Sequence, residues 1–478
     1  MNTGLARLLR RLTLSACTLS LAACQTVGPD YQVPDDAALN RSDLQGTLAA
    51  GAHTVVSAPV PADWWKLYHD PRLDQLVRDA MASNTDLRVA AANIARSRAQ
   101  VEQAQAEGGF GTAAQAGAQR VQESGEAFLQ TEKLPVENLG DASINLSYQF
   151  DLWGTLKRGI ESAQANADAV QAAADTARIT VVADVVRAYT QVCAANEEYE
   201  IARHSLDLQE QGVRLTQRLR DAGRGDETQV TRSQTQFKSL RAELPRYEAL
   251  RQAGLYRLSM LLAKPLAQLP AGTAECAALP AIAQELPVGD GAALLKRRPD
   301  IRQAERQLAA ATADIGVATG QLYPDISIGA TVGTVGLLEN LGRPATNRWG
   351  FGPLISWTLP TNGSRARIRA AEASSQAALA HFDGVVLNAL RETQTALTQY
   401  TALLQRRDAL ADAQESARQA AEQTHRFFQA GRESFLADLQ ATRTYTDVRA
   451  QLAQANSQVA MQQINLFLAL GGGWQPPR

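Results

Sequence analysis

Apolar and polar side chains alternate strictly along residues 143–152, with short polar residues on one face. The other face carries five larger apolar side chains: Ile144, Leu146, Tyr148, Phe150 and Leu152. Ten residues match one crossing of a tilted membrane β-strand, which takes about 9 to 11 residues. Weaker alternation marks residues 110–121, 325–335 and 351–359. The pattern therefore predicts two strands in each half of the chain.

A different periodicity follows these strands. From residue 155 to residue 221 the chain contains no proline and, after Gly159, one isolated glycine, Gly212. Small and apolar residues recur there at alternating steps of three and four, the heptad pattern of a coiled coil. One helix of about 65 residues, about 100 Å long, is predicted. After a turn at residues 222–226 a second helix is expected to run to about Leu262, with Pro245 kinking or dividing it.

The second half repeats this arrangement. Ala222-Gly223-Arg224 recurs as Ala430-Gly431-Arg432, and the helix–turn–helix pattern recurs from about Arg365 to Leu470. Shorter helices over 73–107 and 300–321 are predicted to precede the strands of each half. The halves are therefore related by duplication. We expect a first repeat over 64–265, a linker rich in Pro, Ala and Gly over 266–290, a second repeat over 291–470 and a tail over 471–478.

The N-terminus indicates export. A positive region containing Arg7, Arg10 and Arg11 precedes a short apolar run over 12–21, which is typical of a secretory signal. The run ends in Leu-Ala-Ala-Cys24, which resembles a bacterial lipobox, so cleavage after residue 23 and acylation of Cys24 are expected. Gln25 follows instead of an inner-membrane retention Asp, which favours an outer-membrane lipoprotein with an acylated segment over 24–63. The alternative is an ordinary signal peptide with a chance cysteine.

Composition excludes several classes of protein. The 478 residues are 45% hydrophobic and 20% charged, so a disordered chain is not expected. A net charge of -2 gives no electrostatic reason to bind nucleic acid. Beyond the N-terminus no apolar run reaches the roughly 18 to 20 residues of a membrane helix. Neither a catalytic constellation nor a metal or phosphate motif is found, so we expect no enzyme and no cofactor besides the lipid on Cys24.

Two cysteines lie in the mature chain beyond Cys24. Cys193 and Cys276 are expected in an export compartment, where disulfides persist. Spacing does not decide between a bond and two separately buried thiols, because sequence does not show whether their Cα atoms come within reach.

Four strands are too few to close a membrane barrel, which needs about eight. An open edge is not tolerated in lipid, so several chains would have to pool their strands: two would give eight, three twelve and four sixteen. The alternative is an antiparallel sheet on a soluble domain.

Several spaced motifs resemble the TolC-like outer membrane factors, closest to the NodT-type branch of efflux outer membrane lipoproteins. They cover nearly the whole mature chain. The motifs are Val-Gly-Pro-Asp-Tyr at 27–31, Trp-Trp at 64–65, Asp-Pro-Arg-Leu at 70–73, Arg-Arg-Pro-Asp-Ile at 297–301 and Tyr-Pro at 323–324.

This resemblance implies a mainly α protein with membrane β structure. Each chain of a homotrimer would give four strands to a 12-stranded outer-membrane β-barrel and its long helices to a coiled-coil α-helical barrel in the periplasm. A periplasmic adaptor (membrane fusion) protein and an inner-membrane pump of the RND type would be its partners. The adaptor would dock at the periplasmic tips, which correspond to Gly223, Arg224, Gly431 and Arg432.

The same turns would hold the gate of the channel. Many relatives carry an Asp shortly after each turn, and the matching positions here are Gln229 and Gln440. Asp226 and Asp438 are the nearest carboxylates, and three copies of either would form a charged ring in a narrow pore, unless they lie on a solvated helix face.

The implied function is export of drugs or toxic small molecules from a Gram-negative cell. A lipid-anchored periplasmic adaptor or scaffold protein is the alternative of another class, although duplication of both strands and hairpin argues against it. A channel for type I protein secretion is the narrower alternative.

Overall fold

The computed structural model describes residues 26–41, 55–56, 58–282, 285–288 and 297–472. The signal peptide, Cys24 and the last six residues of the tail lie outside the described residues. The chain divides into two compact units. The first comprises Met1–Pro34, Asn93–Val170 and Gln303–Phe382, and the second comprises Asp35–Ala92, Gln171–Arg302 and Asp383–Arg478.

The first unit contains a four-stranded antiparallel sheet in the order β1-β2-β3-β4. These strands are Phe110–Gln122 (β1), Val136–Phe150 (β2), Asp325–Leu337 (β3) and Asn347–Ser356 (β4). All four predicted strands are present. The register places Ile144 opposite Val332 and Val332 opposite Trp349, so alternate residues of the three strands share a face.

Two of the strands, β2 and β4, differ most in extent from the sequence prediction. β2 begins at Val136 rather than at residue 143, because residues 136–142 pair with β1 although they lack apolar alternation. β4 covers Asn347–Ser356 rather than 351–359, because its ladder ends where Ser356 meets Asp325, the first residue of β3. Alternation past that point, at Trp357 and Leu359, continues without a pairing strand.

Seven α-helices are described along the chain. They are Pro71–Ser83 (α1), Thr85–Glu107 (α2), Thr155–Asp221 (α3), Glu227–Leu261 (α4), Pro299–Gly320 (α5), Asn362–Gln429 (α6) and Phe435–Ala469 (α7). α3 has the predicted bounds, and α4 continues through Pro245 without being divided.

The single helix predicted over 73–107 is wrong, because Asn84 separates α1 from α2. Its Oδ1 accepts hydrogen bonds from the backbone N–H groups of Asp86 and Leu87, at 2.9 and 3.2 Å. Its Nδ2 donates to the carbonyl of Leu261 at 2.9 Å. A buried Asn that caps the next helix competes with helix continuation, which periodicity alone does not reveal.

The two helical hairpins, α3–α4 and α6–α7, close with the same turn. Gly223 and Gly431 adopt φ of 68° and 70°, a region that costs glycine little. The next residue in each case, Arg224 or Arg432, donates its backbone N–H to the carbonyl of Leu219 or Phe427 at 2.8 Å. This is the Schellman arrangement of a helix C-terminus, so the duplication extends to backbone geometry.

The core of the second unit joins both repeats. Trp64, which is 1% exposed, stacks on Phe467 of α7 with ring centroids 4.7 Å apart. Val185, Val186 and Tyr189 of α3 are fully buried in the same cluster. Among the described helices, none has an apolar stretch long enough to cross a membrane.

The described part of the predicted linker belongs to the second unit. A disulfide joins Cys193 of α3 to Cys276, whose Cα atoms lie 4.9 Å apart. Asn196, one turn further along α3, donates to the carbonyls of Ala274 and Cys276 at 2.9 and 2.7 Å. Val55–Val56 and Leu286–Pro287 form a short parallel bridge. The linker therefore has a defined position in this unit at these points.

Replacing Cys193 and Cys276 together by alanine is expected to lower the free energy of unfolding by about 2–5 kcal/mol, because the bridge constrains a long loop of the unfolded chain. Amide hydrogen exchange should accelerate over residues 270–282 in the double variant. The matched control is the wild-type protein after reduction by a thiol, which should show the same acceleration. Unchanged exchange in both samples would show that Asn196 and the surrounding packing suffice.

Candidate functional site: the strand sheet and the hairpin tips

One face of the sheet is apolar and exposed. Trp349, Phe351 and Ile355 of β4 are 83%, 72% and 65% exposed. The strand register places further apolar residues on this face: Phe110, Ile144, Leu146, Ile326 and Val332. A continuous apolar surface of this kind is covered by another protein or by lipid.

The opposite face is mostly polar and small, with Leu354 and Val335 as exposed apolar residues. Ser143 lies opposite Gly333, and Ser147 lies opposite Gly329. Thr331 donates its hydroxyl to Asn145 Oδ1 at 2.8 Å across the strands. Alternation of large apolar residues with small polar ones is typical of a strand between lipid and a water-filled lumen.

Both edges of the sheet are open in the described part of the chain. β1 pairs with β2 alone and β4 pairs with β3 alone. Each edge strand therefore presents a row of backbone N–H and C=O groups without ladder partners. In hydrocarbon these groups must be satisfied, so the sheet needs further strands from outside this chain if it lies in a bilayer.

Aromatic residues collect where the strands return to the helices. Trp153 follows β2 and stacks on Tyr323, with ring centroids 4.6 Å apart. The Trp153 indole donates to the carbonyl of Pro324, and the Trp357 indole donates to the carbonyl of Leu322, both at 3.1 Å. Trp and Tyr are enriched at membrane–water interfaces because their rings are amphipathic. We refer to Trp153, Tyr323 and Trp357 as the aromatic collar.

The tips of the two hairpins share a backbone turn but differ in chemistry. At the first tip Arg220 pairs with Asp221 at 2.6 Å and with Glu227 at 3.1 Å. At the second tip Phe427 and Leu436 are 48% and 49% exposed. The predicted docking residues Gly223, Arg224, Gly431 and Arg432 are all exposed at these turns.

Of the candidate gate residues at the first tip, Asp226 caps a helix. Its Oδ1 accepts the backbone N–H of Gln229 at 2.8 Å, in the N-cap position of α4. This bond satisfies one of the free N–H groups of the first turn, and the carboxylate also lies at the positive end of the helix. Asp226 and Gln229 were both predicted from the sequence as gate candidates. In the structure the capping hydrogen bond connects them.

At the second tip the candidate residues are separated. Asp438 is buried between α6 and α7, where its Oδ2 lies 3.1 Å from Nδ1 of His425. Nε2 of the same imidazole lies 2.9 Å from the amide of Gln429. Gln440, two residues later, is exposed. Asp438 therefore faces its own hairpin, whereas Gln440 faces outward.

A polar link between the two hairpins, in which Gln209 is buried and Arg443 is partly buried, was missed by sequence reasoning. Arg443 of α7 donates to Oε1 of Gln209 on α3. The amide of Gln209 in turn donates to the carbonyl and hydroxyl of Ser233 on α4, at 2.9 and 3.1 Å. Burial lowers the pKa of Arg443, an effect that the carboxylate of Asp447 partly opposes.

Gly212 is the sequence signal that could have revealed this link. A Cβ at this position would lie 2.9 Å from a methyl of Leu439 and 3.8 Å from the Arg443 guanidinium. Gly212 therefore allows α7 to pack closely against α3, one turn from Gln209.

Comparison with known proteins agrees with this geometry. The family model described as "Outer membrane efflux protein" matches residues 76–264 and 292–472, one stretch in each half of the chain. Nodulation protein T of Rhizobium leguminosarum bv. viciae is 28% identical over 98% of this chain and 94% of its own length. The pyoverdine export outer membrane protein OpmQ of Pseudomonas putida is 29% identical over 98% of both chains.

Solved structures show the same fold. The outer-membrane channel OprN is 33% identical, with a TM-score of 0.85 over 95% of this chain and all of its own. The open state of the MtrE outer membrane channel of Neisseria gonorrhoeae is 25% identical, with a TM-score of 0.80 over 94% of this chain and 98% of that one. The TolC-like fold that the sequence predicted is confirmed. The chain belongs to the outer membrane efflux protein family.

Proposed function

We propose that the protein is the outer-membrane channel of a tripartite efflux system that exports drugs or other toxic small molecules. One observation supports this function above the others. The same chain contains a sheet with one apolar and one polar face, and it also contains two long helical hairpins. The sheet provides a passage through the outer membrane, and the hairpins extend the passage into the periplasm. The family supports a Gram-negative outer-membrane location.

The proposed assembly is a homotrimer. Each sheet has two open edges, so β4 of one chain would pair with β1 of the next until the ring closes. Three chains with four strands each give a 12-stranded barrel, above the minimum of about eight. The apolar face would meet lipid, and the face with Ser143, Asn145 and Gly333 would line the lumen.

The proposed partners are a periplasmic adaptor protein and an inner-membrane pump of the RND type. Gly223, Arg224, Gly431 and Arg432 are the proposed docking residues, because they are exposed at the two turns. Two relatives from Pseudomonas putida are named for export of pyoverdine and for efflux of toluene. Small organic molecules delivered by the pump are therefore the proposed cargo.

The protein would act as a conduit, without catalysis and without a cofactor. Its one covalent addition would be lipid on Cys24, which anchors the mature chain in the periplasmic leaflet of the outer membrane. The lipobox-like sequence supports this anchor. The domain bounds proposed from sequence, 64–265 and 291–470, are supported by the two stretches that the family model matches.

We further propose that the link between Arg443 and Gln209 restrains the hairpins in the closed channel. Helix ends can separate without breaking ladder hydrogen bonds, so a few side-chain contacts can decide the closed state. An adaptor that binds the open arrangement more tightly would shift the population toward it. Gln229, Asp438 and Gln440 remain candidate gate residues, whereas Asp226 is proposed to act as the cap of α4.

The function is tested by conductance in planar lipid bilayers. Acylated protein, purified in detergent and sized by light scattering, should be trimeric and should produce stepwise single-channel currents. Silent bilayers from a monomeric protein would contradict the shared barrel and favour an adaptor or scaffold function. Currents from a species with another stoichiometry would retain the channel and reject the trimer.

The restraint is tested by Arg443→Met, which removes the donor to Gln209 but keeps a long apolar stem. We expect a several-fold rise in mean single-channel current, because the hairpins separate more readily. Arg406→Met is the matched control: Arg406 donates to Gln458 at 2.8 Å, an Arg–Gln link within one hairpin. Equal currents in wild type and Arg443→Met, or an equal rise in the control, would reject the restraint.

The position of Asp226 is tested by charge removal. Asp226→Asn keeps an N-cap of similar strength, so cation-over-anion preference and hydrogen exchange should stay at wild-type values. Asp226→Ala removes the cap, at a cost of about 1 kcal/mol, and should accelerate exchange in the first turn of α4. A fall in cation preference in Asp226→Asn would instead place this carboxylate in the conduction path.

A further inference from the structure

The segment that follows the lipobox-like sequence is held by a buried arginine. Arg158, at the start of α3, has a side chain that is 4% exposed. Its Nε donates to the carbonyl of Val27 at 3.0 Å, and one terminal nitrogen donates to Gly28 at 3.2 Å and to Asp30 at 2.7 Å. The other terminal nitrogen donates to Glu161 at 2.7 Å. One side chain thus contacts three of four consecutive residues in this segment.

Glycines bring the segment close enough for these bonds. Gly28 has φ of 84°, and a Cβ there would lie 2.4 Å from the Cα of Gly316 on α5. A Cβ on Gly316 would lie 2.6 Å from Cγ of Arg158 and 2.9 Å from the carbonyl of Val27. Such distances do not occur for real side chains, so the path of the segment between the two helices depends on both glycines.

A second contact fixes the segment three residues further on. The hydroxyl of Tyr31 donates to Glu305 at 2.7 Å, and the guanidinium of Arg306 lies 5.6 Å from the centre of the Tyr31 ring. Burial raises the pKa of the Tyr31 hydroxyl, and the bond to Glu305 raises it further, so the hydroxyl remains a donor. Tyr31 also packs on Ala165, Ala309 and Ala310.

These contacts place the start of the segment beside the aromatic collar. The backbone N–H of Val27 donates to the carbonyl of Trp153 at 2.9 Å. Cys24 precedes Val27 by three residues, which span at most about 11 Å when fully extended. Chain length therefore limits the Cα of Cys24 to within about 11 Å of the Cα of Val27, whose backbone N–H is bonded to Trp153 of the collar.

We infer that Arg158 is a positioning residue for the lipid anchor. It fixes the chain at Val27 and Gly28, so the acyl chains enter the membrane directly beside the aromatic collar of the same protomer. The anchor is then a rigid part of the membrane-facing surface rather than a flexible tether. The acyl chains on Cys24 would contact the acyl region of the membrane leaflet next to the collar. The inference rests on the proposed acylation of Cys24.

The test uses a nitroxide spin label on the acylated full-length mature protein in liposomes. Gln25→Cys provides the attachment site, and it would be the sole free thiol, since Cys24 would carry lipid and Cys193 and Cys276 are bonded. The label should be immobile, and its relative collisions with oxygen and a water-soluble nickel chelate should report one depth near the interface. Adding Arg158→Met should shorten its rotational correlation time several-fold and spread its depth.

Gly316→Ala provides a second variant, because the added methyl displaces the segment without removing a charge. It should mobilise the label in the same way, even if Arg158→Met folds poorly. Lys157→Met is the matched control, since Lys157 is the neighbouring basic residue and is exposed. A label placed at Arg224 should report the same mobility in every variant, which shows that the hairpin is intact.

Three results would overturn the inference. A label that is mobile in the unaltered background would show that the anchor is a flexible tether. A label that stays immobile in both Arg158→Met and Gly316→Ala would show that lipid alone restrains it. Mass spectrometry that finds no acyl groups on Cys24 would reject the anchor itself, while the channel function would still be judged separately by conductance.

Discussion

The requirement that every backbone polar group in a bilayer find a partner governs this molecule. Four strands leave two open edges, and the chain offers no further strand to cover them within its described residues. Membrane insertion therefore requires assembly, because an isolated sheet would expose its edges to hydrocarbon.

The helices follow a different periodicity from the strands, and they are held to one another by different contacts. Small residues such as Ala165 and Ala169 of α3 are buried, which lets neighbouring helices approach closely. Hydrogen bonds within each helix satisfy its backbone, so contacts between helices depend on side chains alone. A sheet held by ladder bonds and hairpins held by side chains differ in how readily they rearrange. Movement is therefore expected in the hairpins, where side-chain links such as that between Gln209 and Arg443 take the place of ladder bonds.

Sequence reasoning succeeded where one periodicity dominates a long segment. The bounds of α3 follow from pattern, because neither a proline nor a competing periodicity interrupts its heptads. It failed where a tertiary contact determines the secondary structure. Asn84 ends a helix because Leu261 and the next helix use its side chain, and residues 136–142 become a strand because β1 lies beside them. Arg443 and Gln209 are distant in sequence, and only the isolated Gly212 hinted at their meeting.

The unequal tips have a consequence for symmetry. Two hairpins of nearly identical backbone would make the periplasmic end of a trimer look like a ring of six equivalent units. One tip carries ion pairs around Arg220, and the other exposes Phe427 and Leu436, so in the proposed trimer the six tips would alternate between two kinds. A partner built from six copies of one polypeptide would thus meet two environments. Such copies would have to bind in two conformations, or with two affinities, around the three-fold ring of the proposed trimer.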